Sequence, residues 1–173
     1  IFRVTNSKAA CFDDYDTYSG GDGNDVIAAV GAKVDIGMTR FGPSDGVETI
    51  DATGASGPVR ILGDWNANTL DFSGTSLLGK IVIDGGAGND VIYAGKGNDS
   101  VSGGAGDDTF RVTGNKCSNF EGWDNYSGGE GMDTIVVFGE RVDVGTIAFN
   151  AANGIEVIDA SGVTGEARIL GDW

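Results

Sequence analysis

The sequence contains no histidine, only two cysteines and only two prolines. Without histidine, the chain cannot form serine–histidine or cysteine–histidine nucleophiles, or histidine-ligated zinc sites. Two cysteines are too few for the disulfide frameworks that stabilise many small secreted proteins. Lysine and arginine number 11 against 26 acidic residues, and the net charge of −15 argues against a phosphate-binding surface and a nucleic-acid partner.

Helical periodicity and long apolar runs are also missing. No run approaches the roughly 18 apolar residues that a membrane span needs, and no segment sustains a 3.6-residue period. Apolar residues make up 40% of the chain, but they occur in short, often β-branched bursts between glycines, of which there are 31. This pattern predicts an all-β fold. No signal peptide is visible, and the pattern is already under way at Ile1, so we expect a fragment of a longer protein.

Residues 85–111 consist of three consecutive nine-residue repeats, GGAGNDVIY, AGKGNDSVS and GGAGDDTFR. Each begins with a glycine-rich loop, has an aspartate at position six and has a large apolar residue at position eight. The positions in question are Asp90, Asp99 and Asp108, and Ile92, Val101 and Phe110. The apolar residue is predicted to enter the core of a short strand that follows each loop.

The chemistry of these loops favours a hard cation. Glycine adopts backbone conformations with positive φ at little cost, so the loops can curl and turn their carbonyl groups inward. The aspartates add carboxylates to that ring of carbonyls. A cage made only of oxygen atoms, with flexible coordination, is typical of calcium.

A long internal repeat spans most of the chain. The sequence FRVT at residues 2–5 recurs at residues 110–113, and RILGDW at residues 60–65 recurs at residues 168–173. Between these ends the offset stays at 108 residues without a gap, and 32 of the 64 aligned pairs are identical. Such tandem units indicate a solenoid whose turns stack on their neighbours.

This repeat defines the predicted domain organisation. Residues 1–109 hold Ile1 and the first complete unit, and residues 110–173 hold an incomplete second unit of the same continuous solenoid. The last residue matches the middle of the first unit, so we expect a slice from a longer tandem array.

Within a unit, apolar bursts predict the strands and glycine-rich segments predict the turns. The predicted strands are residues 26–30, 33–36, 47–51, 59–62, 69–72 and 80–83. The loops then fall alternately on two edges of a flattened coil. One edge collects residues 20–25, 37–46, 63–68, 85–90, 103–108 and 128–133, and the other collects 11–16, 54–57, the turn at Gly74, 94–99 and 119–124. The predicted core ladder is Ile27, Val34, Ile50, Ile61, Leu70, Ile83, Ile92, Val101, Phe110, Tyr126, Ile135 and Ile158.

The nonapeptides match the pattern G-G-x-G-x-D-x-U-x, and the chain resembles the hemolysin-type calcium-binding (RTX) repeats of proteins exported by bacterial type I secretion. More closely, it resembles long-unit versions of these repeats in very large surface or adhesin-like proteins. The resemblance implies a right-handed parallel β-roll or β-helix solenoid with several Ca²⁺ ions held between successive loops. The strongest cage is expected between residues 85–90 and 103–108, with Asp90 and Asp108 as side-chain ligands.

Carried over to this sequence, the resemblance implies further ligands, which act through carbonyl or carboxylate oxygens. The full set is Asp16, Gly20, Asp22, Asp25, Gly85, Ala87, Asp90, Ala94, Lys96, Asp99, Gly103, Ala105, Asp108, Asp124, Gly128, Glu130 and Asp133. Ala94 and Lys96 depart from the motif, Asn68 replaces an aspartate, and the turns between Gly31 and Gly57 carry no motif, so metal is expected chiefly in the tandem nonapeptides.

The resemblance implies an extracellular, calcium-binding structural segment of a large secreted or cell-surface bacterial protein, which folds on calcium after export. Its partners would be calcium and neighbouring repeat units, with cell-surface glycans as further candidates, and no nucleic acid or membrane span. The alternative is the C-terminal export and folding module of a secreted protease, lipase or polysaccharide-modifying enzyme.

Intrinsic catalysis and ice binding are the other classes considered. Parallel β-helices host polysaccharide lyases, and carboxylates near arginines could serve them. The candidates are Asp35, Asp51, Asp71, Asp84, Arg60 and Arg168. An arginine that recurs in both units fits repeat architecture better than one active site, so no enzyme activity is expected. Ice binding needs a regular row of threonines, and the threonines here share no fixed spacing.

Two further expectations concern aromatic residues and cysteines. Loop aromatics are expected to cover the core, and a sugar-stacking platform is the alternative for Tyr15, Tyr18, Trp65, Trp123, Tyr126 and Trp173. Cys11 and Cys117 lie about five turns apart in the predicted coil, roughly 24 Å. A disulfide needs Cα atoms within about 7 Å, so no bond is expected between them.

Overall fold

The computed structural model describes residues 1–5, 15–114, 123–146 and 149–171. Fifteen strands and two short 3₁₀ helices make up these residues, and every strand pairing recorded between them is parallel. The strands are β1 (Phe2–Thr5), β2 (Val26–Val30), β3 (Val34–Gly37), β4 (Arg40–Phe41), β5 (Thr49–Asp51), β6 (Val59–Leu62), β7 (Thr69–Asp71), β8 (Ser76–Leu78), β9 (Ile81–Ala87), β10 (Val91–Tyr93), β11 (Ser100–Ala105), β12 (Thr109–Gly114), β13 (Trp123–Glu130), β14 (Thr134–Thr146) and β15 (Val157–Gly171). The 3₁₀ helices are Pro43–Asp45 and Ala151–Asn153. The fold is the predicted all-β parallel solenoid. Cys11 and Cys117 lie outside the described residues.

The chain winds because consecutive strands join different rows. One sheet has the order β1-β2-β5-β8. The other has the order β3-β6-β9-β11-β13-β14-β12-β10-β7-β4, with β15 paired to β14. From β3 to β8, each turn therefore adds one strand to each of three rows, as in β3, β4, β5 followed by β6, β7, β8.

This third row corrects the predicted two-edged coil. Residues 37–46, expected to form one loop, instead contain β4 and the helix Pro43–Asp45. Their beginning stacks on β6, where the N–H of Met38 donates to the carbonyl of Leu62, and their end stacks on the loop at residues 20–25, where the N–H of Gly20 donates to the carbonyl of Asp45. The loop at residues 20–25 therefore lies beside residues 42–48.

The tandem nonapeptides form the narrowest turn. Ile92 pairs with Phe110, and Ile83 pairs with Val101, each 18 residues along the chain, which is two nonapeptides. Here the third row is reduced to a single bridge between Ser76 and Lys96. The two-sided geometry predicted from the nonapeptides is thus found where the motif is intact.

The core is the predicted ladder. Its members from Ile27 to Ile135 are all buried, and Ile158 is only half-buried because it lies on β15, which pairs on one side with β14. Aromatic rings widen the core within the first unit, where Phe41 stacks on Phe72 with ring centres 5.0 Å apart. In the part of the chain that the structure describes, no helix has the length and apolar character to cross a membrane.

Candidate calcium sites

Carboxylates at one corner of the coil link successive turns through the backbone. The N–H of Asn68 donates to Oδ1 of Asp90 at 2.7 Å, and that of Asp90 donates to Oδ1 of Asp108 at 2.8 Å. The N–H of Asp108 donates to Oδ1 of Asp133 at 2.8 Å, and that of Asp133 donates to Oε2 of Glu156 at 2.7 Å. Each acid therefore holds the backbone of the preceding turn with one carboxylate oxygen.

The other carboxylate oxygen of three of these residues is buried without a hydrogen-bond partner. Oδ2 of Asp90, Asp108 and Asp133 is in this state, and so is Oδ2 of Asp99 at another corner. Asp90 and Asp108 are 1% exposed and Asp133 is fully buried. An unpaired buried carboxylate oxygen is costly, and in native proteins such an atom commonly meets an ion or a water.

The first glycine of each loop borders a cradle of oxygen atoms. A Cβ atom at Gly85 would lie 2.7 Å from the carbonyl oxygen of Gly103 and would collide with Oδ2 of Asp90. A Cβ atom at Gly103 would collide in the same way with Oδ2 of Asp108. A carboxylate oxygen from one loop and a carbonyl oxygen from the next thus approach the same point, which fits a cation.

Carbonyl groups must supply most of any coordination shell. Among the described residues, no three side chains of aspartate, glutamate, histidine or cysteine come together as a metal-binding group. One carboxylate and several carbonyls form a hard, flexible oxygen environment, which suits Ca²⁺ better than zinc or the softer transition metals. The donor set therefore fits calcium.

The acids in these loops have raised pKa values. Burial raises the pKa of Asp90 to about 7, and the negative charge of Asp108 adds to the effect. Burial also raises the pKa of Asp99 to about 7, with a contribution from Asp124, and that of Asp108 to about 6. The pKa values of Asp124 and Asp133 are raised too, chiefly by burial. A cation bound nearby would favour the ionised forms.

A second corner brings Asp99 and Asp124 together, as predicted from the sequence. The N–H of Asp99 donates to Oδ1 of Asp124 at 3.0 Å, and the hydroxyl of Tyr126 donates to Oδ2 of Asp124 at 2.7 Å. Both oxygens of Asp124 are therefore engaged, whereas Oδ2 of Asp99 is buried and unpartnered. In this pair, Asp99 carries the oxygen available to a metal and Asp124 positions the backbone.

Comparison with known families matches this geometry. The family model of the RTX calcium-binding nonapeptide repeat matches four copies, at residues 14–29 and 82–110. The chain carries RTX calcium-binding repeats. RTX repeats form β-rolls, bind Ca²⁺ in their turns and are typical of proteins secreted by type I systems. No curated protein and no solved structure gives a significant match to the chain.

The matched RTX segments differ in how well their predicted ligands converge. At residues 82–110, Gly85, Asp90, Gly103 and Asp108 meet in one stacked pair of loops. Ala87 and Ala105 occupy paired positions at the ends of β9 and β11. The predicted ligands Ala94, Lys96 and Gly128 also lie on corner loops, where Ala94 and Gly128 are buried.

At residues 14–29 the predicted RTX ligands do not converge as expected. Asp16 and Asp22 are exposed, and Oδ2 of Asp16 accepts a hydrogen bond from the hydroxyl of Tyr18 at 3.3 Å. The N–H of Asp25 donates to Oε2 of Glu48 at 2.7 Å, so the loop of Gly20 and Asp25 stacks on a turn outside the motif. In the second unit, the side chain of Glu130 is exposed as well.

Sequence reasoning missed Glu48 and Glu156, which close these stacks. Both precede a residue of the core column by two positions, as Glu48 precedes Ile50 and Glu156 precedes Ile158. The aspartate of each RTX repeat has this same spacing to its apolar residue, for example from Asp90 to Ile92. An acid two residues before a core position was therefore the signal, even without a glycine-rich loop.

The turn at Asn68 replaces the RTX arrangement with hydrogen bonds. Oδ1 of Asn68 accepts from the N–H of Asp64, and its amide group donates to Oδ1 of Asp64, both at 2.8 Å. The amide of Asn66 donates to Oδ2 of Asp64, also at 2.8 Å. The side chains of this loop thus satisfy one another, in contrast to the RTX loops.

The residues considered for catalysis and sugar stacking make structural contacts. Arg60 binds both oxygens of Asp35 at 2.8 and 2.9 Å, and Asp51 and Asp71 accept hydrogen bonds from backbone N–H groups two residues later. Tyr18 and Tyr126 are buried, as expected for core-covering aromatics, while Trp65 is 74% exposed. Trp173 lies outside the described residues.

Proposed function

We propose that the chain is an extracellular structural segment whose solenoid folds when calcium binds after export. The observation that carries this proposal is the set of four buried, unpartnered oxygens on Asp90, Asp99, Asp108 and Asp133. Without a cation, these acids are desolvated in a chain of net charge −15. Calcium supplies positive charge at those points, so its binding free energy becomes folding free energy.

The proposed ligands follow the order of the stacked loops. Oδ2 of Asp90, with the carbonyls of Gly85, Ala87, Gly103 and Ala105, would hold the first ion. Asp108 would hold the next with the carbonyls of Gly103 and Gly128, and Asp99 would hold an ion at the other corner with those of Ala94 and Lys96. Each ion then joins two turns, which couples metal binding to the stacking of the coil.

We place the segment in a large surface or adhesin-like protein built from 108-residue units. Equivalent side chains make equivalent contacts in both units, as Arg60 with Asp35 and Arg168 with Asp143. Contacts repeated in this way support a structural array more than a single active site. Extracellular calcium modules are typically tuned to about 10⁻⁴–10⁻³ M, so the chain would stay unfolded in the cytosol and coil up outside.

A titration of the purified chain tests the proposed function. Circular dichroism is recorded during additions of Ca²⁺, with Mg²⁺ at the same concentrations as the control. We expect the β-sheet signal to appear with calcium and to appear only weakly, if at all, with magnesium, which prefers smaller octahedral sites. A β-sheet spectrum that persists unchanged in chelator would overturn the proposal.

A further inference from the structure

The turn that follows Asp133 is not a nonapeptide, yet it forms the wall of an oxygen cradle. It comprises residues 150–156 and contains the helix Ala151–Asn153, whose first turn is capped by Asn150. Gly154 then adopts a left-handed conformation with φ of 61°, which favours glycine. A Cβ atom at Gly128 would collide with both the carbonyl oxygen of Gly154 and Oδ2 of Asp133.

This cradle has the same parts as the one in the matched repeats. At Gly85, the oxygens are Oδ2 of its own loop's Asp90 and the carbonyl of Gly103 on the next turn. At Gly128, they are Oδ2 of Asp133 and the carbonyl of Gly154. Asp108 receives the N–H of Asp90 in the first case, and Glu156 receives that of Asp133 in the second.

We propose that Oδ2 of Asp133 and the carbonyl of Gly154 bind a calcium ion between residues 128–133 and residues 150–156. Asp133 is fully buried and its Oδ2 has no hydrogen-bond partner, so an oxygen in need of a cation points into this cradle. Glu156 positions the backbone of Asp133 and adds negative charge. The site lies outside the residues that the family model matches, and it rests on the proposed function of the neighbouring loops.

The first unit contains the same framework 108 residues earlier. The helix Pro43–Asp45 is followed by Gly46 with φ of 62°, and Glu48 accepts the N–H of Asp25 at 2.7 Å. A Cβ atom at Gly20 would likewise collide with the carbonyl oxygen of Gly46. Asp25 is only half-buried there, whereas Asp133 is fully buried, so the proposal concerns the second unit.

Counting bound calcium by native mass spectrometry and titration calorimetry tests the site. The proteins are the wild type, Asp133→Asn, Glu156→Gln and the control Glu166→Gln, whose exposed carboxylate lies 3.5 Å from Arg141 in a surface ion pair. We expect Asp133→Asn to bind one ion fewer than the wild type. Glu156→Gln keeps a hydrogen-bond acceptor but loses a charge, so it should weaken one ion by about tenfold, as outer-shell changes do.

The outcomes separate this site from the general function. If the wild type binds calcium and both variants match Glu166→Gln in number and affinity, the site is refuted while the proposed function stands. If the wild type binds no calcium, the proposed function fails as well. Should Asp133→Asn fail to fold in calcium, as judged by circular dichroism, the affinity of Glu156→Gln decides alone, because that side chain is exposed and tolerates the change.

Discussion

The backbone N–H of Asp90 donates a hydrogen bond to Oδ1 of Asp108 on the next turn, at 2.8 Å. The same carboxylate keeps its second oxygen buried and unpaired beside the cradle at Gly103. One oxygen therefore fixes the stacking of two turns and the other is available to a cation. This division of roles makes the metal and the coil depend on each other.

The first prediction concerns the pH dependence of the metal-free protein. Asp90 has a pKa of about 7 when folded and metal-free, and a free aspartate titrates near about 3.9. Between these values the folded state binds more protons than the unfolded state, so the free energy of unfolding falls as the pH rises. Urea unfolding in chelator should therefore give a more stable protein at pH 5 than at pH 7.5.

Excess calcium should reverse this trend, because protons then compete with the metal for the carboxylates. The calcium-loaded protein is expected to lose stability as the pH falls from 7.5 to 5. Metal-free stability that increases with pH across the same window would contradict the burial of these acids.

The second prediction concerns the acids of the strongest cage. Asp90→Asn and Asp108→Asn each remove a buried charge without changing the side-chain size, so the metal-free form should tolerate them. The calcium concentration at the folding midpoint should rise by about tenfold or more, because a charged ligand is lost. The matched control is Asp51→Asn on an exposed hydrogen bond to Thr53, and an equal midpoint shift there would count against the assignment.

The intact nonapeptides predicted both the fold and the main cage from the sequence. Their nine-residue period fixes that Ile92 stacks on Phe110, so the register, the core column and the pairing of Asp90 with Asp108 all follow. The regular alternation of loop and strand leaves little freedom in this region. The prediction for Asp99 and Asp124 succeeded for the same reason.

The third row of strands could not be read from the sequence. Ser76–Leu78 and Arg40–Phe41 are too short to show a period, and their pairing partners lie more than 20 residues away. Where Glu48 replaces an aspartate and a 3₁₀ helix replaces a glycine-rich loop, the composition no longer marks the turn. Tertiary stacking on the preceding loop fixes the position of such residues, and local sequence carries little trace of it.

The third prediction converts the hydrogen-bonded turn into an RTX-like one. In Asn68→Asp, the new carboxylate faces Asp64, whose oxygen now accepts from the amide of Asn68. Repulsion should destabilise the metal-free protein, and one additional calcium ion should bind between this turn and that of Gly85. Calorimetry measures the stoichiometry. An unchanged ion count with unchanged metal-free stability would show that Asn68 does not substitute for the metal.

The fourth prediction compares two equivalent ion pairs. Arg60→Met should lower the free energy of unfolding by about 1–3 kcal/mol, because the buried Asp35 loses two charged hydrogen bonds. Arg168→Met should cost less than about 1 kcal/mol, because its partner Asp143 is more exposed and the pair is screened by solvent. Urea unfolding in saturating calcium measures both, and a larger loss at Arg168 would contradict this ranking.

Hydrogen exchange with and without calcium tests the central claim most directly. Deuterium uptake is measured by mass spectrometry for peptides covering residues 85–111, first in millimolar calcium and then in chelator. If calcium is the folding switch, the backbone amides of these turns are protected with the metal and exchange rapidly once it is removed. Full protection of residues 85–111 in chelator would show that the coil forms without calcium and would contradict the account.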